Sequence, residues 1–275
     1  MNTTDVISDD NQDSLEALLA DLHKFINPKK AAFLPTFFKT GIGQYGEGDQ
    51  FLGIMVPNVR KIVKMYSGVN RSIVEKLLES PWHEERLCGV LLLVDEYEQA
   101  TKSIKKLQKR THLSNSYSIQ EIRAIQKEIA EYYLNKSTRI NNWDLVDLSA
   151  RKIIGCEMLL CSPEKRTLLY QLSQSDLLWD QRIAIVSTYA LIRENQFEDT
   201  IKLSKIFIHH PHDLMHKACG WMLREVGKRD KDTLVEFLEE HKEAMPRTML
   251  RYAIEKFSKE ERDYYMGRTK TISKR

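Results

Sequence analysis

Long apolar runs are missing from this 275-residue chain: the longest, about Val90 to Val94, falls far short of the roughly 20 residues a membrane-spanning helix needs. Lysine and arginine are missing from residues 1–23, which carry Asp5, Asp9, Asp10, Asp13, Glu16 and Asp21. So acidic and polar a start reads as neither a signal peptide nor a transit sequence. Cysteine is scarce. Cys88, Cys156, Cys161 and Cys219 include no CxxC pair, which argues against a disulfide framework or a zinc cage and for buried thiols in a reducing interior. With only 11 glycines and 7 prolines, the chain is neither collagenous nor low-complexity.

What is present is a globular composition, 42% hydrophobic and 29% charged, enough for one large domain or two small ones with a sizeable core. The net charge is only +3, but outside residues 1–23 the balance is +9. That excess permits a polyanionic partner if it gathers on one face. Apolar residues recur three and four apart almost throughout, which predicts a nearly all-α protein. Expected helices include 14–26, 83–99, 102–112, 119–137, 143–160, 178–194 and 213–229. Ser118 with Glu121 and Ser258 with Glu261 fit capping boxes, and Ser80-Pro81 and Ser162-Pro163 put proline at a first helical position. Ile183–Ile192 is rich in β-branched residues, yet it has no turn-bounded strand partner and is read as helix. Trp143, Arg182 and Trp221 are spaced by 39 and 39 residues, close to the repeat length of HEAT-type helix pairs. The expected organisation is a flexible acidic tail at 1–12, a single HEAT-like repeat domain at 13–268 and a basic tail at 269–275.

Two segments concentrate chemistry. In Asn142-Trp143-Asp144-Leu145-Val146-Asp147, Trp143 and Asp147 lie four apart and share a helix face, placing an aromatic plane beside a carboxylate; a core tryptophan with a first-turn acid would give the same pattern. Further on, Lys217, Trp221, Arg224 and Lys228 fall on one helical stripe, suited to phosphate and sugar contact, or else a solvated face with a half-buried tryptophan. Nine basic residues within 101–139 read as solvated helix surface. Gly41-x-Gly43-x-x-Gly46 does not open a helix after a strand and is not read as a nucleotide site. His212 and His216 lack a third ligand, so no metal is expected, and Asp213 reads as a helix-start acid.

Taken together, Phe51-Leu52-Gly53-Ile54 followed by Pro57, Trp143-Asp144-x-x-Asp147, Trp179-x-x-Arg182 and Gly220-Trp221-x-Leu223-Arg224-Glu225 resemble the DNA alkylation repair protein family, the AlkD-like HEAT-repeat DNA glycosylases. The similarity runs from about Phe37 to Phe257. It implies an all-α HEAT-like solenoid with a concave basic face that cups double-stranded DNA and excises N3- and N7-alkylated purines, working as a cytoplasmic monomer, associated with the nucleoid when bound, without cofactor or membrane. It further implies that Asp147 is the catalytic carboxylate, that Trp143 and Trp221 lie against the lesion's sugar and backbone, and that Arg182 contacts the DNA backbone. The stripe read from spacing adds Arg224, Lys217 and Lys228 as DNA-binding residues. Phe37 stands where the family carries a tyrosine, and the loop from Gly41 to Gln50 is longer than its counterpart there. A non-catalytic DNA-binding module and a protein-interaction scaffold are the alternatives from other classes.

Overall fold

A computed structural model describes residues 3–109 and 115–268. Among them there is no strand, only an isolated bridge between Gln50 and Trp82, and no helix is long and apolar enough to cross a membrane. The fold is all-α, a helical repeat of the HEAT-like kind, and the chain divides into two compact units, Met1–Ser149 and Ala150–Arg275.

The first unit contains α1 (Thr3–His23), α2 (Pro28–Phe37), α3 (Val56–Met65), α4 (Arg71–Glu79), α5 (His83–Gln108), α6 (Asn115–Asn135) and α7 (Trp143–Ser149). In α4 the buried residues are Ile73, Val74, Leu77 and Leu78, one face of a 3.6-residue period, and the Asn70 side chain accepts from Ser72 N to start the helix. α5 is the hub of this unit, packed against α3, α4, α6 and α7 and buried on every side from His83 to Val94. The expected break near residue 100 is absent: no glycine or proline stands there, and the helix runs on to Gln108, with Thr101 Oγ1 donating to Tyr97 O at 3.0 Å within it.

The second unit contains α8 (Ile154–Leu160), α9 (Thr167–Ser173), α10 (Leu178–Arg193), α11 (Glu198–Ile206), α12 (Asp213–Gly227), α13 (Lys231–His241), α14 (Arg247–Ala253) and α15 (Lys259–Tyr265). The β-branched run Ile183–Ile192 lies inside α10, packed by α8, α9, α11 and α12; burial of every residue but Tyr189 removes the alternation a strand would show. α12 packs closely on α14, and Gly220 allows it: a Cβ there would lie 2.5 Å from both Met249 O and Tyr252 Cβ. The buried Arg166 donates to Asp199 Oδ2 at 2.8 Å and to Met158 O at 3.0 Å.

Several sequence expectations shift. The helix expected at 143–160 is two, α7 and α8, parted at Ala150–Ile153. Ser149 Oγ donates to Leu145 O at 2.6 Å at the end of α7, and the division between the two units falls after this residue. Ser118 lies inside α6 rather than at a cap, and α5 begins at His83, two residues after Pro81. The Ser258–Glu261 capping box forms reciprocally, and Pro163 opens a short 3₁₀ turn. α1 starts at Thr3, within the stretch expected as an acidic tail; the expected basic tail at 269–275 lies outside the described residues. None of the four cysteines forms a disulfide: Cys88 and Cys219 are buried, whereas Cys156 and Cys161 are half-buried. Burial pushes the Cys88 thiol pKa up to about 12 and raises that of Cys219 as well.

Candidate functional site

In the first unit the candidate site is built around α7, a seven-residue helix too short to be stable alone. Trp143 opens it and Asp147 stands one turn later, both half-buried. The start of α7 is tethered twice. Asn142 Oδ1 accepts from Trp143 N at 2.9 Å, while Asn142 Nδ2 donates to Asp49 Oδ2 at 3.0 Å. Asp144 Oδ1 accepts from Leu145 N at 2.9 Å, and its Oδ2 meets His83 Nε2 at 2.9 Å. His83 Nδ1 reaches Asp49 Oδ2 at 3.2 Å, and Arg86 Nη2 bonds the other oxygen of Asp49.

His83 is therefore held between two carboxylates at 2% exposure. Burial opposes charge on the ring, but Asp144 and Asp49 outweigh it and raise the pKa to about 9, so His83 is an imidazolium at neutral pH. Burial likewise works against a charged Asp49, yet the hydrogen bond from His83 and the charge of Arg86 bring its pKa below the ordinary value. The Arg86 pKa is lowered, chiefly by burial and against the pull of Asp49.

Aromatic rings cover this network. Phe38 stacks on Phe51 (5.0 Å between centroids) and on Trp143 (5.3 Å, 23° between planes), and both phenylalanines lie within 5.0 Å of the His83 ring. Phe37 sits edge-on to Trp143 at 6.0 Å and is 51% exposed. The Phe51–Ile54 loop is pinned by Glu84, which accepts from the backbone N–H of Leu52, Gly53 and Ile54 at 2.7–3.1 Å. Gly53 is required there: its φ is +78°, and a Cβ would come within 2.2 Å of Asn27 O.

In the second unit Trp221 is half-buried on α12, with the Tyr189 ring of α10 at 6.2 Å and the Arg151 guanidinium 5.0 Å over Tyr189. The expected cations share the stripe, but each carries an acid. Lys217 pairs with Asp213 at 2.7 Å, Lys228 with Glu225 at 2.7 Å, and Arg224 with Glu225 and with Glu255. Arg182 is only 4% exposed, and its Nη1 donates to Leu214 O at 2.6 Å, tying α10 to α12. The 39-residue spacings place Trp143, Arg182 and Trp221 in the first, second and third turns of their helices, a shift of one turn each time. His216 Nε2 donates to His210 O at 2.5 Å, His212 caps α12 by accepting from Leu214 N, and the Gly41–Gly46 segment is a string of turns.

Sequence reasoning missed Asp49, His83 and Asn142 as a group, and with them Glu84, Arg86, Arg151 and Tyr189. One signal was available: His83-Glu84-Glu85-Arg86 places four polar residues directly before the apolar run of α5, and a polar tetrad entering a core must find partners inside it.

The fold is thus one of packed helix pairs, with a carboxylate and a tryptophan on a short helix of the first unit and a tryptophan among paired cations on α12 of the second. The profile of the family described as DNA alkylation repair enzyme matches residues 18–257, and the chain belongs to that family. A solved structure described as a predicted DNA alkylation repair enzyme from Enterococcus faecalis is similar at TM-score 0.60 and 17% identity, over 85% of this chain and 97% of that one, a likeness of fold. Among curated proteins nothing matches.

Proposed function

We propose that this member of the DNA alkylation repair family is a monofunctional DNA glycosylase that releases N3- and N7-alkylated purines from duplex DNA in base excision repair, acting in the cytoplasm and nucleoid as a monomer and without a metal. Alkylation at N3 or N7 makes the purine cationic, so it leaves as a neutral base and needs little help from a general acid. One carboxylate then suffices to stabilise an oxocarbenium-like sugar and orient water, where ordinary glycosidases use two. Asp147 is the proposed carboxylate and Trp143 its aromatic neighbour, with Trp221 of the second unit a further contact to sugar and backbone. A tryptophan face over a cationic sugar contributes roughly 0.5 to 2 kcal/mol.

The observation that carries this reading is that Trp143 and Asp147 stand one turn apart on α7, both half-buried, an aromatic plane beside a carboxylate; three other acids are held by basic partners. Asp144 is bound to His83 and to Leu145 N, Asp49 to His83, Arg86 and Asn142, and Glu225 to Lys228 and Arg224. His83 is protonated, but both its ring nitrogens already meet carboxylates. Arg224, Lys217 and Lys228 are proposed to exchange their carboxylates for phosphates on binding, and Arg182 to serve the backbone contact by holding α12 under Trp221.

The test is single-turnover release of N7-methylguanine from a defined duplex by wild type and Asp147→Asn. The amide keeps the shape and removes the charge, so release should fall by about a hundredfold or more with duplex affinity changed only a few-fold. Wild-type release by the variant would remove Asp147 from the chemistry. Duplex binding by the wild type with no release of base would make the protein a non-catalytic DNA-binding module.

A further inference from the structure

We infer that Arg151 and Tyr189 form a phosphate-binding site beside Trp221, taking one backbone phosphodiester of the DNA; this deepens the glycosylase reading and rests on it. The four cations that spacing singled out are all engaged: Lys217, Arg224 and Lys228 with carboxylates, and Arg182 with a buried carbonyl. Arg151 differs. Among the described residues it makes no ion pair and no side-chain hydrogen bond, and its Nε is buried without a partner. The buried Nε edge is closed to a ligand, but the terminal nitrogens have no protein acceptor among the described residues and remain open to an incoming anion.

Its orientation fits such an anion. The guanidinium lies over the Tyr189 ring, its carbon 5.0 Å from the centroid, which restrains it while its terminal N–H groups stay available to a bidentate acceptor. The same ring stands 6.2 Å from Trp221, so a phosphate on Arg151 belongs to the nucleotide whose sugar meets that indole or to its neighbour. Arg151 is half-buried in the turn between α7 and α8, four residues along the chain from Asp147.

The test titrates a labelled undamaged duplex across a salt series with wild type, Arg151→Ala, Arg151→Lys, Tyr189→Phe and Tyr189→Ala, each checked for an unchanged thermal melt. Arg151→Ala should weaken binding about tenfold and lower the salt slope by about 0.9, the share of one phosphate. Arg151→Lys should keep the slope but bind more weakly than wild type, because an ammonium offers neither fork nor stack. Tyr189→Phe should bind as wild type, and Tyr189→Ala should move toward Arg151→Ala. Wild-type affinity and slope in Arg151→Ala, with the parent protein still binding DNA, overturn the site and leave the glycosylase reading standing. Absence of salt-dependent duplex binding in the parent protein overturns that reading and the site together.

Discussion

His83 shows how one side chain takes its character from residues far along the chain. Alone it would be half-charged near pH 6.5; between Asp49 and Asp144, with Arg86 also on Asp49 and Arg139 contributing to the field at Arg86, its pKa is about 9. Because the folded value lies above the unfolded one, folding takes up a proton as pH rises through the interval between them. The stabilisation is complete below about pH 6.5 and is lost as pH climbs through 9, worth on the order of 3 kcal/mol at full strength. The stability gap between wild type and His83→Gln, measured by urea denaturation from pH 6 to 10, should therefore shrink steadily with rising pH. A gap that stayed constant would mean that the ring acts only as a neutral hydrogen-bonding spacer.

At the scale of elements, α7 and α12 carry the residues of interest, and each owes its position to a different device. α7 hangs from Asn142 and Asp144, whose partners Asp49 and His83 belong to other segments. α12 is set by close packing on α14, made possible by the missing side chain of Gly220 next to Trp221. A Cβ at that position meets a backbone carbonyl, which cannot rotate away, so Gly220→Ala should cost about 1–3 kcal/mol by urea denaturation. It should also weaken duplex binding, since relieving the clash displaces the helix that carries Trp221. An alanine variant with wild-type stability and affinity would show that α12 and α14 separate freely.

For the molecule as a whole, the proposed single-carboxylate chemistry sets the substrate range. Among the described residues, Asp144 and Glu225 are committed to basic partners and Asp49 is buried among three donors, so none of these three is placed to protonate a leaving base. The leaving group must carry its own activation. Duplexes bearing N7-methylguanine or N3-methyladenine should lose the base, while those bearing uracil or hypoxanthine should stay intact under the same conditions, as read by free-base release from single-lesion substrates. Comparable release of uracil would mean that a general acid operates and that a single-carboxylate mechanism is wrong.

Helix content, the capping box at Ser258, the helix-start acid Asp213 and the shared face of Trp143 and Asp147 were legible in the chain because they depend on neighbours within a turn. Family membership was legible too, since ordered motifs such as Trp143-x-x-x-Asp147 and Gly220-Trp221 survive in one dimension. The stripe on α12 was located correctly, but its charge was not: spacing along one helix cannot show that Glu255, on the segment after α14, pairs with Arg224. Nor could it show that Arg151 lacks an acid among the described residues, that His83 is cationic, or that the helix ends at Ser149. The Asp49–Asn142 bond joins residues 93 apart in sequence, and that between His83 and Asp144 residues 61 apart. Helical periodicity is a local property of the backbone, whereas ion pairing and pKa depend on distances between side chains that only the packing of whole helices sets.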